Sequence, residues 1–448
     1  GRGSAAGSLV AYLIGITDID PISYGLMFER FINPNRKGMP DIDVDFMPGA
    51  EGRDKVKAHT AEIYGEKNVI DIAAYGTYGP KAALRAVCRV FDDEIDYATA
   101  DRFVKVLDAL KPTDKIDLEE CAERFAEIKD FSTRYPKLWQ QAIRIEGHPY
   151  TQSKHASGVL VKPSDIEIPT AVKIDKDTQE RGTVTAWPDT RELLAGYGFL
   201  KIDYLVIDGL VRQYDVLKAL RERENSPIDL RTLPVRWDPE AVDPAVMEAF
   251  GKGMTLGVWQ FEGRGTIPVL KSVKPENMHD LAAINALIRP GPRGAGMTEE
   301  YAKRKSGEHE TVYWHPSVEY ALKPTYGLML YQEQAMEISV ALGGFSRTEA
   351  DDLRKAMGKK YREGMEAVKT FLRDLGYYEK FVDNATAIVG AQLANEIWDA
   401  ILAFGGYSFN ASHAYAYALI SYHDMLLKTL APADFYAGYL SSAKSTDL

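Results

Sequence analysis

The chain has 448 residues and a net charge of −11, with 45% hydrophobic and 27% charged residues. That length exceeds one ordinary core, so about two to four domains of roughly 100–200 residues each are expected. No run of about 18 apolar residues gives a transmembrane helix, no signal-peptide pattern opens the chain, and with only Cys88 and Cys121, in no Cys-x-x-Cys pair, neither a disulfide framework nor a zinc site is indicated.

The sequence opens on Gly1 inside what already reads as a motif, so a fragment of a longer protein is expected. Gly1-Arg2-Gly3-Ser4-Ala5-Ala6-Gly7-Ser8 predicts a glycine turn running into a helix from Ser8 to Ile14. Small residues let backbone amides approach a phosphate, although from this stretch alone a plain flexible turn is the favoured reading. A second helix is predicted over 24–31, carrying Arg30, then a loop at 33–35 and a strand from Pro40 to Phe46. Strand alternation puts Asp41, Asp43 and Asp45 on one face and Ile42, Val44 and Phe46 on the other. Three carboxylates in a row repel one another, which favours bound cations such as Mg²⁺. The bland alternative is a solvated edge strand, where acids discourage aggregation.

An amphipathic helix follows over 52–66, then a helical region over 80–150 with an acidic patch near 92–101. In it Lys81, Arg85 and Arg89 recur every four residues after Pro80, which makes either a basic ridge or a solvated face. Residues 157–206 turn β-rich. In their last strand Lys201 and Asp203 share a face, suited to a phosphate and a metal or to a surface ion pair. Pro227, Pro234 and Pro239 suggest a linker, and the remainder reads as helical, interrupted at Arg289-Pro290-Gly291-Pro292 and Gly405-Gly406. His155 and His413 have no triad partners in their local sequence. An acidic net charge argues against nucleic acid as a partner, but Arg354, Lys355, Lys359, Lys360 and Arg362 form a basic run without an acid.

Taken in order, these stretches resemble the C-family replicative DNA polymerases, the group of the bacterial DNA polymerase III alpha subunit. The resemblance also rests on Lys201-Ile202-Asp203-Tyr204-Leu205, Pro324-Thr325-Tyr326-Gly327, Tyr331-Gln332-Glu333-Gln334 and Phe404 to Asn410. It implies an α+β multidomain fold: a nucleotidyltransferase-like palm with a mixed sheet and helices, a helical thumb and mainly helical fingers. The implied boundaries are 1–72 and 156–208 for the palm, 73–155 for the thumb and 209–448 for truncated fingers. The implied activity is template-directed DNA synthesis, with Asp41, Asp43 and Asp203 holding two Mg²⁺ ions and Gly3, Ser4, Arg30 and Lys201 holding the incoming dNTP. Candidate DNA or nucleotide contacts are Lys81, Arg85, His155, Arg289, Arg354, Lys355, Lys359, Lys360, Asn410 and His413. Primer–template DNA is the implied partner, in the cytoplasm of a bacterium or of a phage host. Sliding clamp, clamp loader and proofreading exonuclease would bind through regions mostly absent here. The same carboxylates would also suit a metal-dependent nuclease or phosphoesterase, and a noncatalytic DNA-binding fragment is a third reading. The chain departs from the family pattern at Tyr150 (usually arginine), Ala86, Val206, Asp208 and Ala411 (usually lysine).

Overall fold

The computed structural model describes residues 1–34, 40, 42–110, 116–174, 181–188, 199–224, 228–360, 364–405 and 408–442. Six strands lie among them: β1 Val44–Phe46, β2 Val69–Thr77, β3 Pro149–Val161, β4 Thr170–Ile174, β5 Arg181–Pro188 and β6 Leu200–Val206. The fold is mixed α/β, and its contacts divide the chain into two compact units. One joins Gly1–His59 to Asp203–Leu448; the other is Thr60–Ile202. No described helix is long and apolar enough to cross a membrane.

In the Thr60–Ile202 unit, β2 pairs antiparallel with β3 and parallel with β5, and β4 pairs antiparallel with β5. The β2–β3 register jumps: Asp71 faces Val159 but Ala73 faces Lys154, so His155 to Gly158 bulge outward. The bulge is closed by His155 itself, whose Nδ1 accepts the Gly158 N–H at 2.7 Å. Among the described residues, five α-helices between 80 and 145 pack around Leu84, Val87, Val104, Phe131 and Leu138. Pro80 suits the first turn of its helix, while Asp96 and Asp117 cap two others by accepting backbone N–H groups. Cys88 and Cys121 are buried free thiols in this core.

In the other unit, β1 and β6 run parallel with Val44 opposite Tyr204, Asp45 opposite Leu205 and Phe46 opposite Val206. The helices gather around Ala411–Leu430, a 20-residue helix buried on nearly every face. Its few buried charges are all satisfied internally. Asp424 accepts from Gln213 Nε2 at 2.6 Å and from the Trp259 N–H at 2.9 Å, and Lys428 donates to the carbonyls of Met254 and Leu256. Burial pushes the Asp424 carboxyl up to about 7 against the pull of those N–H groups. Burial, helped by the charge of Arg236, pushes the neighbouring His423 imidazole down to about 3.

The structure departs from the sequence expectations in several places: among them, the strand expected from Pro40 to Phe46 spans only Val44–Phe46, and Pro290–Gly294 forms a short helix where an interruption was expected. The helix expected over 24–31 is a single 3-10 turn, Phe28–Arg30. The Asp20 carboxylate ties the Ile22 N–H and the Ser23 hydroxyl into a turn, and Gly25 follows at φ 61°, which breaks any earlier helix. Strand β2 was not foreseen, although Val69-Ile70-Asp71-Ile72 carries a β-branched run, and β3 starts at Pro149, ahead of the β-rich stretch expected from 157. Gly76 belongs in β2 because a Cβ there would overlap the Thr151 hydroxyl across the ladder.

Candidate nucleotide and metal site

The site is built around the start of β1. The Arg2 N–H donates to the Asp43 carbonyl at 3.0 Å, so the opening glycine segment lies along the acidic strand. Gly3 turns away with φ 71°, a left-handed conformation that favours glycine, and a Cβ there would lie 3.6 Å from Asp43 Oδ2. Residues Gly3–Gly7, including Ser4, make one 3-10 turn. Ser8 then caps the short helix Leu9–Leu13 by accepting the Ala11 N–H.

The parallel register carries the two acidic strands into line. One step before the Val44–Tyr204 pair, Asp43 falls opposite Asp203, and directly opposed residues of parallel strands share a face. Lys201, two residues earlier on β6, alternates onto that face as well. Asp41 lies outside the described residues. Among the described residues no group of three or more His, Cys, Asp or Glu is arranged to hold a metal. A pair of hard carboxylates still fits Mg²⁺, which usually takes one or two protein carboxylates and completes its shell with water and substrate phosphate.

Asp45 faces a different environment. Its side chain is buried, 3.4 Å from Arg2 Nη1, and Oδ1 has no hydrogen-bond partner among the described residues. Burial raises its pKa, opposed by the Arg2 charge. It borders a cavity of about 120 Å³ lined also by Gln213 and His423.

A basic and aromatic wall stands in the same unit. Arg2 donates to the Tyr417 hydroxyl and lies 5.6 Å from that ring's centre. Tyr417 packs 4.0 Å from His413, and His413 packs on Phe409, over which the Arg289 guanidinium sits at 4.9 Å. Arg289 also donates to the Ser408 carbonyl at 3.4 Å. The Ser408 hydroxyl accepts from Gln332, whose Oε1 takes Arg30 Nε at 3.0 Å. Burial first, and then the charges of Arg2 and Arg289, push the His413 imidazole down to about 4, so it is neutral at pH 7. Burial also lowers the Arg289 pKa. Three part-buried guanidinium groups, two held beside rings and one by a glutamine, make strong anion receptors, since charge-assisted hydrogen bonds gain strength in low dielectric.

The wall thus contains the sequence candidates Arg30, Arg289 and His413. Asn410 stands beside them as a helix cap, accepting the His413 N–H at 2.7 Å. Arg2, Tyr417 and Gln332 were not singled out in the sequence as site residues. Arg2 stood in plain view in the opening motif and Gln332 in the Tyr331-Gln332-Glu333-Gln334 stretch, whereas nothing local pairs Tyr417 or Gln332 with partners 415 and 302 residues away.

The remaining candidates have other surroundings. Arg354 donates to Asp351 at 2.9 Å, and Lys355 reaches Asp351 at 2.8 Å and Asp352 at 3.0 Å. Asp351 is buried and also receives Asn33 Nδ2. Burial works to raise the Asp351 carboxyl, but Arg354 and Lys355 outweigh it and hold it below its ordinary value. Lys359 and Lys360 end the helix Arg347–Lys360, and their side chains lie outside the description. In the Thr60–Ile202 unit, Lys81 contacts Asp108 and Arg85 lies 3.2 Å from Asp101. Tyr150, where the resemblance expects arginine, stacks on Tyr78 with ring centres 4.3 Å apart.

Comparison with known proteins gives the family. The family model described as "Bacterial DNA polymerase III alpha NTPase domain" matches residues 1–206, and that described as "Bacterial DNA polymerase III alpha subunit finger domain" matches residues 210–375. Curated relatives named DNA polymerase III subunit alpha include those of Aquifex aeolicus at 36% identity, Campylobacter jejuni at 37% and Pseudomonas aeruginosa at 38%. Each alignment covers 99% of this chain, and the chain spans 38%, 35% and 37% of those relatives respectively. With both models and these relatives matching along its length, the chain belongs to the bacterial DNA polymerase III alpha subunit family.

Proposed function

We propose that this chain carries the nucleotidyl-transfer site of a replicative DNA polymerase. The observation that carries the reading is the register of β1 with β6, which aligns Asp43 with Asp203 beside the glycine turn. Asp43 and Asp203, joined by Asp41, would hold two Mg²⁺ ions, whose bound role is to neutralise developing charge and favour ionisation of the primer 3′-hydroxyl. The protein's own part is positioning. Gly3, Ser4, Arg30 and Lys201 would hold the triphosphate of the dNTP, Arg2 and Arg289 would extend that wall, and primer–template would lie across the acidic face. Phosphoryl transfer depends mostly on such positioning and charge neutralisation. On this reading residues 1–72 and 156–208 act as palm, 73–155 as thumb and 209–448 as fingers. Sliding clamp, clamp loader and exonuclease would be partners of the larger subunit in the bacterial cytoplasm.

The glycine turn and the guanidinium wall favour a triphosphate substrate over a nuclease reading, which needs only the acids and metal. A labelled primer–template incubated with Mg²⁺ and one dNTP tests this. Extension by one nucleotide supports the polymerase; shortening of the primer would establish the nuclease, and unaltered but bound DNA a noncatalytic module.

A further inference from the structure

The wall has a buried keystone that touches no proposed substrate. Glu333 is 7% exposed and begins its helix, Gln332–Ala341, one residue after Gln332, which holds Arg30. One carboxylate oxygen accepts Asn410 Nδ2 at 2.6 Å and the other the Ala411 N–H at 2.9 Å. Asn410 in turn caps the helix that carries His413 and Tyr417. The backbones are tied alongside: the Gln332 N–H donates to the Phe409 carbonyl at 2.7 Å, and Tyr331 bridges Phe409. Arg289 rests on that same Phe409. One carboxylate therefore sits where the supports of Arg30, Arg289 and His413 meet.

Burying a carboxylate is costly unless its oxygens are satisfied, and both oxygens of Glu333 are spent on the start of one helix. The Asn410 side chain takes one of the free N–H groups at that helix start, and Glu333 takes a second, that of Ala411. The extra carboxylate orients that cap: with Oδ1 committed to the His413 N–H, the Asn410 amide can only point Nδ2 at Glu333. We propose that Glu333 is a positioning residue for the incoming nucleotide, setting the spacing between Arg30 and the Arg289–His413–Tyr417 side of the wall. The inference rests on the polymerase reading and deepens it. Burial raises the Glu333 pKa, and the nearby Arg30 charge and the Ala411 N–H oppose that rise.

Glu333→Gln keeps the volume but turns one acceptor into a donor that meets the Asn410 or Ala411 N–H. The test measures Mg²⁺-dependent dATP binding to the 448-residue chain by equilibrium dialysis, for the wild type, Glu333→Gln, Arg30→Ala and the double variant. Glu333→Gln is expected to weaken dATP binding about tenfold, the scale of one mispaired buried polar group. The double variant is expected to be barely weaker than Arg30→Ala, because Glu333 acts through the wall that Arg30 anchors. In the whole subunit, the KM for dNTP should rise more than kcat falls. Unchanged dATP affinity in a folded Glu333→Gln chain, or losses that simply add, would overturn the positioning role and leave the polymerase reading standing if Arg30→Ala still weakens binding. No dATP binding by the wild-type chain would overturn both. Glu333→Asp is the second variant should Glu333→Gln fail to fold: it keeps both acceptors but falls short by one methylene, and wild-type affinity in it would also count against the proposal.

Discussion

Two basic regions of this acidic chain contrast sharply. On the helix Pro80–Val90, Lys81 and Arg85 stand at the surface, where Asp108 and Asp101 take them up. In the other unit Arg2, Arg30 and Arg289 lie part-buried, set against a tyrosine ring, a glutamine side chain and a phenylalanine ring. Exposed ion pairs are screened by water and contribute little. Part-buried guanidinium groups keep their field and have already lost much of their hydration, so an arriving polyanion gains more from them. Counting cations along a sequence does not separate these cases; the dielectric around each one does.

The largest effect that would sharpen this contrast is expected at Asp43 and Asp203. In the whole subunit, Asp203→Asn or Asp43→Asn should reduce primer extension by about a thousandfold or more while gel-shift affinity for primer–template stays near wild type. Near-normal extension by either would move the chemistry elsewhere. Next, Arg30→Ala should raise the KM for dNTP by roughly ten- to a hundredfold, measured in steady-state single-nucleotide incorporation. If it instead weakened DNA binding with unchanged nucleotide kinetics, the wall would belong to the duplex.

A third test probes how dry the unit holding the wall is. The folded Asp424 is raised to about 7, so its contribution to stability is full below its ordinary 3.8 and is lost as pH climbs toward 7. The folded His423 is depressed to about 3, so its contribution is full above 6.5 and is lost as pH falls. Between about 4 and 6.5 the two slopes oppose and nearly cancel. Asp424→Asn should uncover the histidine slope, with stability rising with pH by up to about 1.4 kcal/mol per unit. His423→Gln should uncover the opposite slope in urea melts over the same range. Flat profiles in both variants would mean that the core admits water.

The smallest effect is expected on the surface ridge. Lys81→Ala with Arg85→Ala should change primer–template affinity less than about twofold, and the dependence of log affinity on log salt by well under one unit. A drop of about two units would show that both cations leave their carboxylates for DNA phosphates, and the contrast drawn above would fail.

Much of the acidic site was legible in the sequence because it is written in strands. Alternation assigned Asp41, Asp43 and Asp45 to one face, Asp41 lying outside the described residues, and Lys201 and Asp203 to theirs on the strand that spans Leu200–Val206. The wall was legible only in part. Arg30 and Arg289 were visible as arginines, but Gln332, Ser408 and Tyr417 support them across hundreds of residues, and no short-range pattern encodes such a meeting. The run at 354–362 shows a different limit of a local reading. It contains no acid, yet Asp351 and Asp352 lie just ahead of it, one helical turn from Arg354 and Lys355. Ala411, where the resemblance expects lysine, is buried and gives its N–H to Glu333.

The pairing of β1 with β6 joins Val44 to Tyr204, 160 residues further along the chain. During synthesis at about 5–20 residues per second, β1 leaves the ribosome roughly ten to thirty seconds before its partner exists. The whole Thr60–Ile202 unit is made in that interval, and its local helices can form meanwhile. For that time β1 is an unpaired strand with Val44 and Phe46 on one side, a ready template for another nascent chain. The carboxylates of Asp41, Asp43 and Asp45 repel any identical strand that approaches. The same charges that line the acidic strand of the finished protein act as a timed guard on the unfinished one.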